Sequence, residues 1–541
     1  MSKPFFITTA IDYTNGAPHI GHAYEKILAD VLARYHRLKG DEVFFLTGVD
    51  QHGQKVQQSA EKQGVAPQEF VDGLTAKFIA LWDKLDISYD KPGGWAATTD
   101  PKHKDCVRAI LQRLLDEGQL YKDKRAGYYS VRQEQFLTDK ERGPDGEFGP
   151  EWGEVVLLEE ENYYFRLAEH KDWLLALIDR RADFVTPEFR RSELRNAVEK
   201  LTGDLCISRP KSRLAWGIEL PFDPEFVTYV WFDALVNYIS FAPGFDLDFN
   251  PEAKPSAAAL SFQKLWPPLH VIGKDIMIPA HGVYWPIMLK AIGFTDDEIP
   301  PLLVHGWWNI AGAKMSKSLG NIVDPDALAD KYGAEALRYY LMSDISTGKD
   351  ADFSEERLVQ RYNTDLANSV GNLLNRSLNM AAKYREGKLK SQSGVQAKEI
   401  LGFTHYAHVE GYKLFFDGGP AITKDGADSS PHRINHALDA AILFATGCNQ
   451  CIENNKPWAL AKDLTKADQL DAVLYTLAES LRIIAILISP VLPKAAAGIF
   501  AQLNWTGPMT LEAAQWGGLP DGHVLGQPTP LVPRIETAPS A

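Results

Sequence analysis

The opening fifty residues constrain the fold more tightly than any other stretch of the chain. "PFFITTA" is a short alternating run rich in β-formers that ends near Ala10. "AYEKILADVLARYHRLKG" repeats apolar residues three and four apart and stops at Gly40, and "DEVFFLTGVD" is apolar again from Val43 to Leu46. Strand, amphipathic helix and strand in that order make the unit of a parallel sheet, since the helix carries the chain back to the starting edge. Between the first strand and the helix stands "PHIGH", which puts His19 and His22 at the helix's first turn. Unpaired backbone N–H groups and the positive end of the helix dipole favour an anion there. Taken alone, the pattern equally describes a glycine-containing turn with two solvated histidines.

The alternation continues through the helical patterns "PQEFVDGLTAKFIALWDKL" and "PKHKDCVRAILQRLLDEGQL", so residues 1–120 read as the first half of a doubly wound α/β domain. Residues 121–216 are aromatic and turn-rich, the composition of an insertion. Strand signals resume in "FVTYVWFDALVNYI" and "PLHVIGKDI", giving a second half over 217–300. A linker region over 301–354 carries "AGAKMSKSLGNIVDP", and 355–541 is almost wholly helical in pattern. Within that region "FTHYAHVEGYKLFFDGGPAITKDGADSSPHR" reads as a turn-rich surface excursion.

At 541 residues, 45% hydrophobic and 24% charged, the chain has the composition of a soluble protein of several domains. No long apolar run predicts a membrane span, and "MSKPFFITT" lacks a secretory pattern. Four cysteines are too few for a disulfide framework, so a reducing, cytoplasmic setting is expected. A net charge of −14 excludes a general nucleic-acid coat protein, but not a nucleic-acid enzyme with a local basic face.

Lys314 and Lys317 lie among small residues in a loop able to close over a phosphate, for which lysine is a suitable point charge. A lone K-x-x-K would mean only a solvated loop. Together and in this order, "HIGH" at 19–22 and "KMSKS" at 314–318 resemble the two signatures of class I aminoacyl-tRNA synthetases. "AIDYTNGAPHIGH", "FLTGVDQHGQK", "YVWFDALVNYI", "VIGKDI" and "NKPW" further resemble successive blocks of the methionyl-tRNA synthetase family, in family order. On composition alone, "YVWFDALVNYI" would be a core strand running into a helix, and its place in the series is what marks it.

The resemblance implies a Rossmann-like catalytic domain with an inserted connective domain, followed by an all-α anticodon-binding bundle. It implies L-methionine, ATP with Mg²⁺ and tRNA(Met) as substrates and partners, with no membrane. Ala10, Ile11, Tyr13, Trp231, Ala234, Leu235, Tyr238, Ile276 and His281 would line the methionine pocket, and Asp50 would hold the α-ammonium. His19, His22, Lys314 and Lys317 would act on the phosphates, and Gly21 would let adenine lie against the backbone. Gly273 and Asp275 would bind the nucleotide, Asp275 through the ribose hydroxyls. Asn372, Arg376, Pro457 and Trp458 would meet the CAU anticodon, although bundle packing is the plain alternative for the Asn372–Arg376 pair.

Several departures from the family pattern stand out. Residues 121–216 contain only Cys206, and "CNQC" at Cys448 and Cys451 lies in a helical pattern, so these read as core cysteines and no structural zinc is expected. "GKDIMIPAH" holds one residue more than usual before His281, and "YDKPGGWAATTD" at 89–100 has no functional reading. The chain ends without the dimer-forming module some relatives append, so a monomer is expected. An isoleucine, valine or leucine synthetase would need a large editing insertion before Trp231, and a cysteine synthetase would need zinc ligands. A non-catalytic RNA-binding relative would have no use for an intact His19, Gly21, His22, Asp50 and Lys317.

Overall fold

The computed structural model describes residues 3–90, 95–130, 135–137, 142–143, 145–245, 257–310, 312–314, 322–391, 397–419, 421–423 and 426–536. Its centre is a seven-stranded parallel sheet. In chain order the strands are β1 (Pro4–Thr9), β2 (Asp12–Tyr13), β3 (Glu42–Asp50), β4 (Trp95–Ala97), β5 (Val185–Thr186), β6 (Leu269–Gly273) and β7 (Leu302–His305). Spatially they run β2–β3–β1–β6–β7–β5, with β4 also paired to β3. From β1 the chain passes through helix α1 (Ile20–Lys39) to β3 on one side, and later returns to β6 on the other. The crevice between β1 and β6 is therefore the switch point of the sheet, where such folds bind ligands at the strands' C-terminal ends.

Both faces of the sheet are covered, which is why Val43–Leu46 and Leu302–Val304 read as continuous apolar runs. Alternate residues feed two different cores. Ile7, Phe45, Val271 and Leu303 face α1 and the helical region, whereas Phe6, Leu46, Ile272 and Leu302 face the inserted segments. The first core runs without a break from α1 into the C-terminal helices α2 (Asn372–Arg385), α3 (Ile434–Asn455) and α4 (Ala467–Ile488). Arg338 pins that junction. Wholly buried, it donates to the carbonyls of Leu85, Pro490 and Val491 at 3.1, 2.9 and 2.8 Å, and pairs with Asp30 of α1 at 2.7 Å.

Three expectations from sequence need correction. Phe226–Thr228 does not enter the main sheet: it belongs to a strand, Asp223–Thr228, paired antiparallel with Ser208–Pro210 and Glu219–Leu220. That small sheet crosses residue 216, and β5, inside 121–216, pairs with Leu302–Leu303 at the edge of the main sheet. The inserted residues are thus woven into the α/β layer. Their outer part is an antiparallel sheet in which Leu120–Ser130 pairs along its whole length with Val155–Phe165. The third correction concerns 403–433. His405–Asp417 is a helix packed on α3, burying Val409, Tyr412 and Phe416. Its histidines and Gly411 obscured a three- and four-residue spacing that Phe416, stacked on Tyr35 of α1 at 4.0 Å, completes.

Candidate active site

One cavity of ≈450 Å³ opens at the switch point. Fifteen residues predicted for the methionine and nucleotide sites line it: Ala10, Ile11, Tyr13, His19, Gly21, His22, Asp50, Trp231, Ala234, Leu235, Tyr238, Gly273, Asp275, Ile276 and His281. They come from the ends of β1, β2, β3 and β6, the start of α1, and the helices following Thr228 and Gly273.

The two histidines of the first turn form a reciprocal cap. His19 Nδ1 accepts the N–H of Gly21 at 3.1 Å, and His22 Nδ1 accepts the N–H of His19 at 3.0 Å. With both Nδ1 atoms accepting, each neutral imidazole carries its proton on Nε2. The rings stack at 3.8 Å, so the pair presents two oriented donors at the positive end of α1. Gly21 leaves no slack. A Cβ there would sit 2.9 Å from His19 Cε1.

Asp50 is held by its neighbours. Thr14 donates to its carbonyl, and the adjacent Gln51 is fixed by Thr98, Thr99, Thr75 and Trp216. The stretch 95–99 thereby acquires a role that its sequence did not disclose: it braces the end of β3.

On the opposite wall, Tyr238 and His281 satisfy each other. His281 Nδ1–H donates to the Ile276 carbonyl at 2.9 Å, leaving Nε2 to accept the Tyr238 hydroxyl at 2.7 Å. Burial drives the His281 imidazolium down to a pKa of about 4, so the ring is neutral. Met277–Tyr284 is helical but for a kink at Ile278, which is extended (φ −113°, ψ 124°), and His281 faces the cavity.

The sequence reading missed a charged floor. Lys26 of α1, without solvent exposure, donates to the Ala10 carbonyl (2.8 Å), Asp12 (2.9 Å) and Glu25 (3.1 Å), and His305 reaches Glu25 at 3.2 Å. Burial raises Asp12 to about 6 against the pull of Lys26. For Glu25, Lys26 and His305 outweigh the burial penalty and bring it to about 2. Lys55, Val230, Asn237, Tyr24, Gly306, Trp307 and Trp308 also line the cavity. Apart from the i, i+1 pair of Glu25 and Lys26 on an otherwise apolar helix stripe, nothing local announced them.

Lys314 lies in a short hairpin strand, its backbone paired with Asn309. Lys317 lies outside the described residues. The anticodon candidates sit away from the cavity. Asn372 and Arg376 share one face of α2 and meet Asn449 and Glu453 of α3 at 3.3 and 2.6 Å. Pro457 is buried, while Trp458 is 39% exposed and so is not a core residue. Cys448 and Cys451 are buried on α3, where burial pushes their thiols up to about 12 and 11.

A family model described as tRNA synthetases class I (M) matches residues 5–145 and 153–378. The chain is thus of the class I tRNA synthetases. Curated methionine–tRNA ligases from Deinococcus radiodurans (40% identical, 99% of this chain and 75% of the relative) and Thermotoga maritima (40%, 98% and 80%) are similar nearly throughout. A solved Mycobacterium tuberculosis methionyl-tRNA synthetase in complex with methionyl-adenylate aligns with TM-score 0.87 at 38% identity, covering 98% of this chain and all of that one. The chain belongs to the methionine–tRNA ligase family.

Proposed function

We infer that the protein joins L-methionine to tRNA(Met) in two steps, and that the fifteen cavity residues carry the first. The observation that bears most weight is the junction, in one cavity, of an anion site at the start of α1 with a dry wall and a buried carboxylate. Asp50 takes the α-ammonium. Tyr238 and His281 spend their polar atoms on each other and on Ile276, so they offer ring surface to the substrate side chain. A thioether gains from such contact, whereas a hydroxyl or amide would lose its water without replacement.

The methionine carboxylate attacks the α-phosphorus of ATP and pyrophosphate leaves. Negative charge grows on the phosphoryl oxygens, where the Nε2–H groups of His19 and His22 stabilise it, with Lys314 and Lys317 on the departing side. Asp275 accepts from the ribose hydroxyls, and Gly273 keeps clear the space that a Cβ, 2.7 Å from Asp275 Oδ1, would take. Mg²⁺ enters with the triphosphate as part of the substrate. The 2′-hydroxyl of the terminal adenosine of tRNA then attacks the activated carbonyl and releases AMP. Asn372, Arg376 and Trp458 read the anticodon, with Pro457 setting the turn before Trp458. A cytoplasmic setting, expected from four unbridged cysteines, suits this role; among the described residues no helix is long and apolar enough to cross a membrane.

Pyrophosphate exchange with each of the twenty amino acids tests this reading. Exchange with methionine alone, abolished in Asp50→Ala, is expected. Equal exchange with leucine or cysteine would refute the pocket assignment.

A further inference from the structure

Behind the methionine wall lies a chain of polar groups that none of these roles uses. Asp233 Oδ2 is 2.7 Å from His52 Nδ1, Asp233 Oδ1 is 2.8 Å from His103 Nε2, and His103 Nδ1 is 2.8 Å from Ser240 Oγ. All four residues are at most 2% exposed. Burial would raise the Asp233 carboxyl, but the two imidazoles beside it win and hold it below the usual range. As a carboxylate it only accepts, so His52 carries a proton on Nδ1 and His103 one on Nε2, which leaves His103 Nδ1 to accept from the Ser240 hydroxyl.

The importance of this chain lies in what its members are attached to. Asp233 sits in Val230–Leu235, a six-residue helix with no side-chain cap, whose Trp231, Ala234 and Leu235 form the cavity wall. His52 follows Asp50 by two residues, and His103 comes from the helix Pro101–Asp116. One carboxylate therefore ties the segment bearing Asp50 to the element bearing the side-chain wall. An ion held by two N–H donors in a dry interior resists sliding, because losing either donor leaves a buried charge unpaired.

We propose that Asp233 is a positioning residue for the amino acid: by gripping His52 and His103 together, it sets the span between Asp50 and the Trp231–Leu235 wall. The proposal rests on the methionine site described above. It concerns the methionine half of the cavity, since the two elements this chain joins, the end of β3 and Val230–Leu235, carry Asp50 and the side-chain wall.

The test is methionine-dependent pyrophosphate exchange with KM measured separately for methionine and ATP, alongside melting curves. In Asp233→Asn the amide can accept from one imidazole but turns an N–H towards the other. We expect KM for methionine to rise tenfold or more and KM for ATP to stay within twofold. His52→Leu should do the same. His52→Asn, whose amide nitrogen replaces Nδ1 as donor, should stay within threefold of the parent. If Asp233→Asn does not fold, the two His52 variants still decide. Equal rises in both KM values, no rise in either, or His52→Asn failing as badly as His52→Leu would overturn the proposal. Absence of methionine-dependent exchange in the parent would instead overturn the site reading on which it rests.

Discussion

Gly21→Ala separates catalysis from stability at a single methyl group. The added Cβ would lie 2.9 Å from His19 Cε1 and 3.1 Å from His19 Nδ1. Ordinary carbon contacts begin near ~3.5 Å, so the ring must retreat by about 0.5 Å or swing away. It then loses the Gly21 N–H bond and its stacking on His22. Weakening this cap costs about 1 kcal/mol, and replacing glycine by alanine in a helix returns up to about 1 kcal/mol, so the melting temperature should hardly move. Catalysis has no such compensation. A displaced transition-state donor costs roughly a hundredfold or more, and adenine loses its flat seat as well. Pyrophosphate exchange at saturating methionine, with ATP varied, measures the loss. Exchange within threefold of the parent at an unchanged melting temperature would show that the orientation of His19 does not matter, and the role given to the capped pair would fall.

Lys317→Ala should lower adenylate formation roughly a hundredfold, the scale for one electrostatic group at a transition state, and near-normal exchange would remove it from the mechanism. Trp458→Ala should spare exchange and the melting temperature, since the side chain is exposed, yet cut tRNA charging by roughly 5- to 150-fold, the worth of one stacked base. His281 has its folded pKa depressed from 6.5 to about 4, so the stability its neutral ring contributes is complete above pH 6.5 and is lost as pH falls towards 4. That amounts to something on the order of 3 kcal/mol; His281→Gln should flatten the parent's acid-side melting profile, and parallel profiles would contradict the assignment. Chelation followed by restored Mg²⁺ should leave fold and activity intact, and elemental analysis finding about one tightly held zinc per chain would oppose this.

Local patterns exposed the parts of this molecule that depend on local chemistry. The first strand, α1 and β3 follow from periodicity, and the histidine cap follows from two residues three apart at a helix start. The floor was hidden for the opposite reason. Asp12, Lys26 and His305 come from a strand, a helix and a strand end far apart in the chain, and only folding makes them neighbours. Asp223–Thr228 shows a second limit, because a strand's pattern gives its faces but not its partner. The kink at Ile278 shows a third, since nothing in the pattern before His281 announces where a helical segment will break.

The buried guanidinium of Arg338 bears on how this chain can be cut and joined. A fragment ending before the C-terminal helices would strip that cation of the Pro490 and Val491 carbonyls and bare one side of α1. Losing a partner of a buried charge costs about 3–5 kcal/mol before any apolar surface is counted. The α/β half is therefore not a free-standing module, and its separate expression calls for a replacement cover. Grafts belong at the outer antiparallel sheet of the insertion, where the strands face water and α1 would not feel the change.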